Sequence, residues 1–227
     1  MNDSHLKKFG IYYLHYMTHI DNVVSILEKG ILSYNLVSQM HIEHRDIADQ
    51  GVQQNRNKKV PLTQLSIHEY VPLYFATQTP MQYVITQSAA TKGRSIVCST
   101  KDLIFLDLDA SQIFGQPGVI FSDGNAARAS ETKFYADPAD LVKLDWETIN
   151  CPGDYYGSSG KCYNPEWKRK KSSEVLVPGK VSPQYISRIV VFDENASKKL
   201  ANKIQTAGKQ FDHSIKYDTE IVSKYYF

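Results

Sequence analysis

A carboxylate opens an apolar strand at Glu174-Val175-Leu176-Val177-Pro178, two serines after the four cations Lys168, Arg169, Lys170 and Lys171. Such a glutamate is either an exposed strand-edge charge paired with Lys or Arg, or a catalytic carboxylate at the rim of a cleft, with the basic run guiding a phosphate backbone toward it. The residues alone leave these two readings even. Arg56, within residues 52–61, carries a guanidinium that can clamp a diphosphate with two parallel bonds. A basic run before a proline is more often a solvated loop. The third candidate is the polar cluster of residues 13–22, where a strand gives way at once to a helix. Donors at such a turn can hold a polar ligand, and the helix start favours anions. Taken alone, capping by Thr18 or Asp21 with His19 at the surface is the commoner role.

Other chemistries lack their motifs. There is no GxxxxGK[ST] phosphate loop, no GxGxxG, no HExxH and no GxSxG. Cys98, Cys151 and Cys162 are odd in number and form no CxxC, which argues against a disulfide framework or zinc knuckle and for a reducing cytoplasm. His41, His44, His68 and His213 make no metal-ligand spacing with them, so no metal is expected. Cys98 reads as inert core in an apolar strand. The net charge of +2 neither requires nor excludes a nucleic acid, since a local basic groove can sit on a near-neutral protein. Tyrosine is abundant, with 15 against 9 Phe. It suits half-buried sheet edges, the commoner case, and also base or sugar contacts.

These residues need a frame. A length of 227 residues with 42% hydrophobic and 22% charged excludes a disordered chain and fits one domain over 1–227. No apolar run reaches eighteen residues and the N-terminus has no apolar h-region, so neither a membrane span nor a secretory signal is expected. Strands are predicted over residues 11–17, 71–75, 95–99, 119–121, 174–178 and 188–192, with a last edge strand over 214–217. Helices are predicted from Ile20 to a stop at Gly30, from Pro80, and over 194–207 behind an Asp193 cap. Residues 34–64 are polar and aperiodic, and residues 150–172 read as a long loop with Gly153, Gly157 and Gly160. The sum is an α+β domain.

Taken together, the stretches resemble the DarT family, DNA ADP-ribosyltransferase toxins of bacterial toxin–antitoxin pairs. The matches are Met17-Thr18-His19-Ile20-Asp21-Asn22 with the helix to Gly30; Arg56 before Val60-Pro61; His68-Glu69-Tyr70-Val71-Pro72-Leu73-Tyr74-Phe75; Pro80-Met81; Phe121-Ser122-Asp123-Gly124-Asn125-Ala126; Leu144-Asp145-Trp146; and Lys168-Arg169 through Glu174-Val175-Leu176-Val177. The resemblance implies an ADP-ribosyltransferase-like fold, with two small, roughly perpendicular, mixed or antiparallel sheets forming a central NAD cleft and helices around them. It implies transfer of ADP-ribose from NAD to a base of single-stranded DNA, release of nicotinamide, and a macrodomain antitoxin as partner. A cytoplasmic monomer with no membrane contact is expected.

The resemblance also distributes roles. Glu174 would be the catalytic glutamate and Arg56 the essential arginine. Tyr16, Met17 and Thr18 would line the nicotinamide and ribose pocket, with Tyr16 where many relatives have His or Arg. His19, Asn22 and Ser33 would add cofactor contacts. Residues 39–58 would cover NAD, and 125–174 would form the substrate-recognition loop ending at Glu174. Asn125, Tyr155, Tyr156, Lys168 and Arg169 would meet the substrate, and Tyr163 is a further stacking candidate. Breaking a glycosidic bond develops positive charge at the anomeric carbon, which a carboxylate stabilises. A guanidinium is an odd base, so the safer role for Arg56 would be electrostatic: clamping the pyrophosphate, or stabilising charge that develops on the base. The same chemistry on RNA or protein, NAD hydrolysis, and a non-catalytic NAD- or nucleic-acid-binding module are the alternatives.

Overall fold

The computed structural model describes residues 3–48, 50–86, 96–152, 164–208 and 218–227. Its centre is β4 (Leu103–Asp109), a strand absent from the sequence-based expectations. Alternate side chains of a strand face opposite ways. Accordingly Ile104, Leu106 and Leu108 join one apolar cluster, and Leu103 and Phe105 another. β4 runs antiparallel between β1 (Tyr13–His19) and β9 (Ile186–Val191). β10 (Asp218–Ile221) extends the edge in parallel with β9. Beyond β1 come β3 (Tyr70–Tyr74), β7 (Glu174–Pro178), β5 (Ile120–Ser122) and β6 (Phe134–Tyr135), giving the order β10-β9-β4-β1-β3-β7-β5-β6. A separate two-stranded ribbon pairs β2 (Ile31–Leu32) with β8 (Lys180–Val181).

The expected division into two sheets takes a specific form. β1 and β4 pair along the whole of β1, from Tyr13↔Asp109 to His19↔Leu103, but β1 and β3 share only His15↔Tyr74. The large sheet is therefore two four-stranded halves joined at one residue pair. One face of both halves buries a single apolar cluster that includes Leu14, Val71, Leu73, Val175 and Ile189. It is closed by α1 (Asp3–Lys7), α2 (Val23–Lys29), α6 (Ala110–Phe114) and α9 (Glu194–Thr206). Each fully buried Leu, Ile or Val there contributes roughly 1.5–3 kcal/mol. The opposite face carries two separate clusters. Met17, Ile85 of α5 (Pro80–Thr86), Phe105 and Val190 belong to one half, and Val60, Ile67, Tyr70 and Leu176 to the other. Between them the surface sinks into a cleft.

Short helices occupy stretches expected to be aperiodic: α3 (Tyr34–Gln39), capped by Ser33, and α4 (Gln50–Asn55). The predicted loop over 150–172 is also partly helical, because α8 (Pro165–Lys171) starts on an Asn164 cap with proline in its first turn and buries Trp167. That is a favoured start signal. α7 (Trp146–Asn150) precedes it. Residues 96–99 form no strand, although Cys98 is buried with its thiol pKa pushed up to about 12 by burial. The edge strand expected over 214–217 and the residues Gly153, Tyr155, Tyr156, Gly157, Gly160, Cys162, Tyr163 and His213 lie outside the described residues. Among the described residues no helix is long and apolar enough to cross a membrane.

Candidate active site

Glu174 is the first residue of β7, and its register partner on β3 is Tyr74. Its carboxylate is 1% exposed, yet both oxygens are satisfied. Oε2 accepts from Arg56 Nη2 at 2.6 Å, and Oε1 accepts from the backbone N–H of Ala126 at 2.7 Å. The pair spans 118 residues of sequence. Ala126 can donate because Asn125 turns the chain: Asn125 Oδ1 caps the next short helix by accepting from Ala127 N–H at 2.9 Å. Burial pushes the Glu174 pKa above the ordinary 4.5, with Arg56 and the Ala126 amide pulling the other way.

Arg56 forms part of the wall of a cavity of about 430 Å³ that fills the cleft between the halves. This is within the size range of small-molecule sites. Glu174 is not in that wall; it lies directly behind the guanidinium. β1 supplies Tyr16, Met17 and Thr18 to the lining, β3 supplies Tyr70, Pro72 and Tyr74, and the segment before Arg56 supplies residues 44–48, 52 and 53. Burial pushes the Tyr16 hydroxyl up to about 12, so it acts as a hydrogen-bonding phenol at neutral pH. Tyr74, raised by burial and then by the Glu174 charge, donates to Met81 Sδ at 3.4 Å. Aromatic faces, Thr18, Asn22, Gln53 and the cations Arg45 and Arg56 are a donor set that fits a dinucleotide. Among the described residues no group of three or more His, Cys, Asp or Glu is arranged to hold a metal.

The other expected site residues separate. Asn125 lines the cavity. His19 does not: it is buried rather than at the surface, and its Nδ1 accepts the Asp21 N–H at 3.1 Å as a helix cap. Ser33 is buried and caps α3. Asn22 lines the cavity and also ties down the covering segment. Its Oδ1 accepts Arg45 N–H at 2.8 Å, while its Nδ2 donates to Arg45 O at 2.9 Å and to Thr18 Oγ1 at 3.0 Å. Its proximity to residue 45 has no counterpart in the sequence pattern, because the partner is backbone.

The basic run before Glu174 does not face it. Arg169 is buried and bonds Asp123 Oδ1 at 2.7 Å and Glu166 Oε1 at 2.7 Å. That geometry runs against a phosphate contact by Arg169, which would have to give up both carboxylates. Lys170 pairs with Asp145 at 3.0 Å, and Lys171 Nζ donates to Ile149 O at 2.7 Å. Lys168 is exposed. The charge that answers Glu174 is Arg56.

Comparison with known proteins places this geometry. The family described as "DarT: ssDNA thymidine ADP-ribosyltransferase, DarT" matches residues 15–227. The chain belongs to the DarT family. It is 32% identical over 192 residues to a DNA ADP-ribosyl transferase–DNA ADP-ribosyl glycohydrolase fusion protein of Thermosipho africanus, covering 84% of this chain and 45% of that protein. It therefore spans under half the length of the fusion. A DNA ADP-ribosyl transferase of Thermus sp. is 30% identical over 192 residues, covering 82% of this chain and 84% of the relative. Among solved structures, Thermus sp. 2.9 DarT in complex with ADP-ribosylated ssDNA superposes with a TM-score of 0.78 at 25% identity, covering 96% of this chain and 97% of that one. Thermosipho africanus DarTG in complex with ADP-ribose gives a TM-score of 0.74 at 28% identity, covering 95% of this chain and 51% of that one.

Proposed function

We propose that this protein transfers ADP-ribose from NAD to a base of single-stranded DNA, releases nicotinamide, and is the toxin of a toxin–antitoxin pair in the cytoplasm. The observation that carries the reading is the buried Arg56–Glu174 pair, with Arg56 in the wall of the cleft and Glu174 behind it. Family membership supports the target, and thymidine, the nucleoside in the family's description, is the first to assay. NAD, when bound, supplies an ADP-ribosyl group already joined to a cationic leaving group, so the protein need not provide an acid there.

What the protein must provide is negative charge beside the bond that breaks and a surface that excludes water. Glu174 offers the charge, and the low dielectric around it raises its electrostatic worth. Arg56 stands between that carboxylate and the cavity. We assign it two duties: holding Glu174 ionised despite burial, and turning from it to the incoming phosphates or to charge developing on the base. Residues 39–58 act as the NAD cover, and 125–174 as the substrate-recognition segment. Tyr16, Met17, Thr18 and Asn22 line the cofactor side, Asn125 sits on the substrate side, and exposed Lys168 faces solvent where a DNA backbone can reach. An ADP-ribosyl glycohydrolase domain, the second part of the Thermosipho fusion, is the partner type expected to undo the mark.

The experiment is mass spectrometry of single-stranded oligonucleotides after incubation with NAD, with RNA and protein in parallel. An ADP-ribose adduct on DNA that vanishes in Glu174→Gln is expected. An adduct only on RNA or protein, or nicotinamide release with no adduct, overturns the target assignment.

A further inference from the structure

One residue of the family-like stretch 68–75 still lacks a role: His68, which lines the cavity although it is 6% exposed. Its ring is held on both edges. Nδ1 lies 3.0 Å from Asn57 Oδ1 and Nε2 lies 3.1 Å from Gln53 Oε1. Its face stacks on Tyr34, with centroids 4.3 Å apart and planes 27° apart. Gln53 lies in α4 and Asn57 in the turn that directly follows it, so both amides reach the same ring. Between them sits Arg56, whose N–H donates to Gln53 O at 3.0 Å. Ser66 reinforces the clamp by donating Oγ–H to Arg56 O at 3.2 Å, and Ile67 N–H donates to Lys58 O at 3.1 Å. His68 itself is fixed by a capping box between Ser66 and Glu69 that leads straight into β3.

We infer that His68 is a positioning residue for Arg56: through Gln53 and Asn57 it transmits the rigidity of the β3 start to the guanidinium that faces Glu174. The inference deepens the proposed function and rests on it for its kinetic consequence only. Burial and the nearby Arg56 charge lower the His68 pKa from 6.5, so the neutral ring prevails at neutral pH. A neutral imidazole donates at one nitrogen and accepts at the other, so one of the two amides turns its NH2 to the ring. A phenyl ring keeps the stacking and volume but satisfies neither amide.

A misplacement of about 1 Å at a catalytic group can cost on the order of 100-fold in rate. His68→Phe is therefore expected to lower kcat by about 10- to 100-fold, by more than it changes the KM for NAD. Gln53→Ala with Asn57→Ala should produce a comparable loss, and combining them with His68→Phe should add little. The activity-independent arm is hydrogen–deuterium exchange. His68→Phe should speed exchange across residues 52–59 while leaving β4 and β9 protected. Unchanged exchange at 52–59, a loss spread over the whole chain, or a kcat within threefold of the parent would overturn the inference. If the parent protein itself transfers no ADP-ribose, the proposed function fails, and the exchange result still decides the role of His68.

Discussion

Arg56→Ala tests the electrostatic argument on which the site depends. Removing the guanidinium leaves the Glu174 carboxylate, 1% exposed in the parent, with one remaining partner, the Ala126 N–H. Breaking a buried ion pair by deleting one member costs about 3–5 kcal/mol. Arg56 is itself 9% exposed and borders a cavity that water can enter, so the lower figure, about 3 kcal/mol, is the better expectation. For a chain of this size that lowers Tm by roughly 6–12 °C. The sign with pH is fixed. The folded-state pKa of Glu174 is already raised above 4.5, and losing Arg56 removes the main opposing charge and raises it further. A group with a raised folded pKa contributes fully below its unfolded pKa, and that contribution is lost as pH rises through the folded value. The deficit of Arg56→Ala should therefore be largest near pH 8 and shrink toward pH 5. Arg56→Met with Glu174→Gln removes both charges and should return to within about 1 kcal/mol of the parent. Urea denaturation of the parent and both variants at both pH values is the assay. Equal stability of Arg56→Ala and parent at pH 8, or a deficit that does not change with pH, would refute the reasoning.

Other outcomes follow from single contacts. Asn22→Ala frees the backbone of Arg45 and should raise the KM for NAD several-fold while changing kcat less than His68→Phe does, read by initial-rate kinetics. Gly30→Ala should destabilise by about 2 kcal/mol or more, since φ is +87° and a Cβ would lie 2.4 Å from Val181 O; urea midpoints report it. As pH falls below 6.5 the unfolded chain protonates His68 before the folded one does, so the parent loses stability there through this residue and His68→Phe loses less; the gap between their urea midpoints should narrow from pH 7.5 to pH 5.5.

Some of this was legible in the residues and some was not. Glu174 heading an apolar run, Gly30 as a helix stop and Asp193 as a cap each act within a few residues, so their spacing shows the structure directly. β4 was missed because it is buried on both faces: Leu-Ile-Phe-Leu gives no alternation, and Asp107 reads as a break. In the fold Asp107 is 0% exposed and held by His15 at 2.6 Å and Arg188 at 2.8 Å, partners 92 and 81 residues away that no local pattern reveals. The four cations before Glu174 misled for the opposite reason. Their proximity in sequence suggested a shared field, but α8 winds them around a helix and sends Arg169, Lys170 and Lys171 to different partners. Arg56, with nothing acidic near it in sequence, was the true counter-charge.

Why the cleft lies where it does turns on Pro72. Proline is normally excluded from a central strand because it brings no N–H to the ladder. β3 is central, flanked by β1 and β7, yet Pro72 sits in its middle and lines the cavity. Its register partner on β7 is Leu176, so β3–β7 pairing continues past it, while β1–β3 pairing is limited to His15↔Tyr74. A residue that cannot donate at this seam would keep the two halves from zipping together and leave Tyr16, Thr18, Tyr70 and Tyr74 lining the cavity. Pro72→Val restores the N–H and a strand-favouring side chain. If the proline holds the seam open, this change should keep or raise the urea midpoint, by up to about 1 kcal/mol for one added hydrogen bond, while raising the KM for NAD. A lower midpoint with an unchanged KM would mean that Pro72 only packs, and that the separation of β1 from β3 is imposed from elsewhere in the chain.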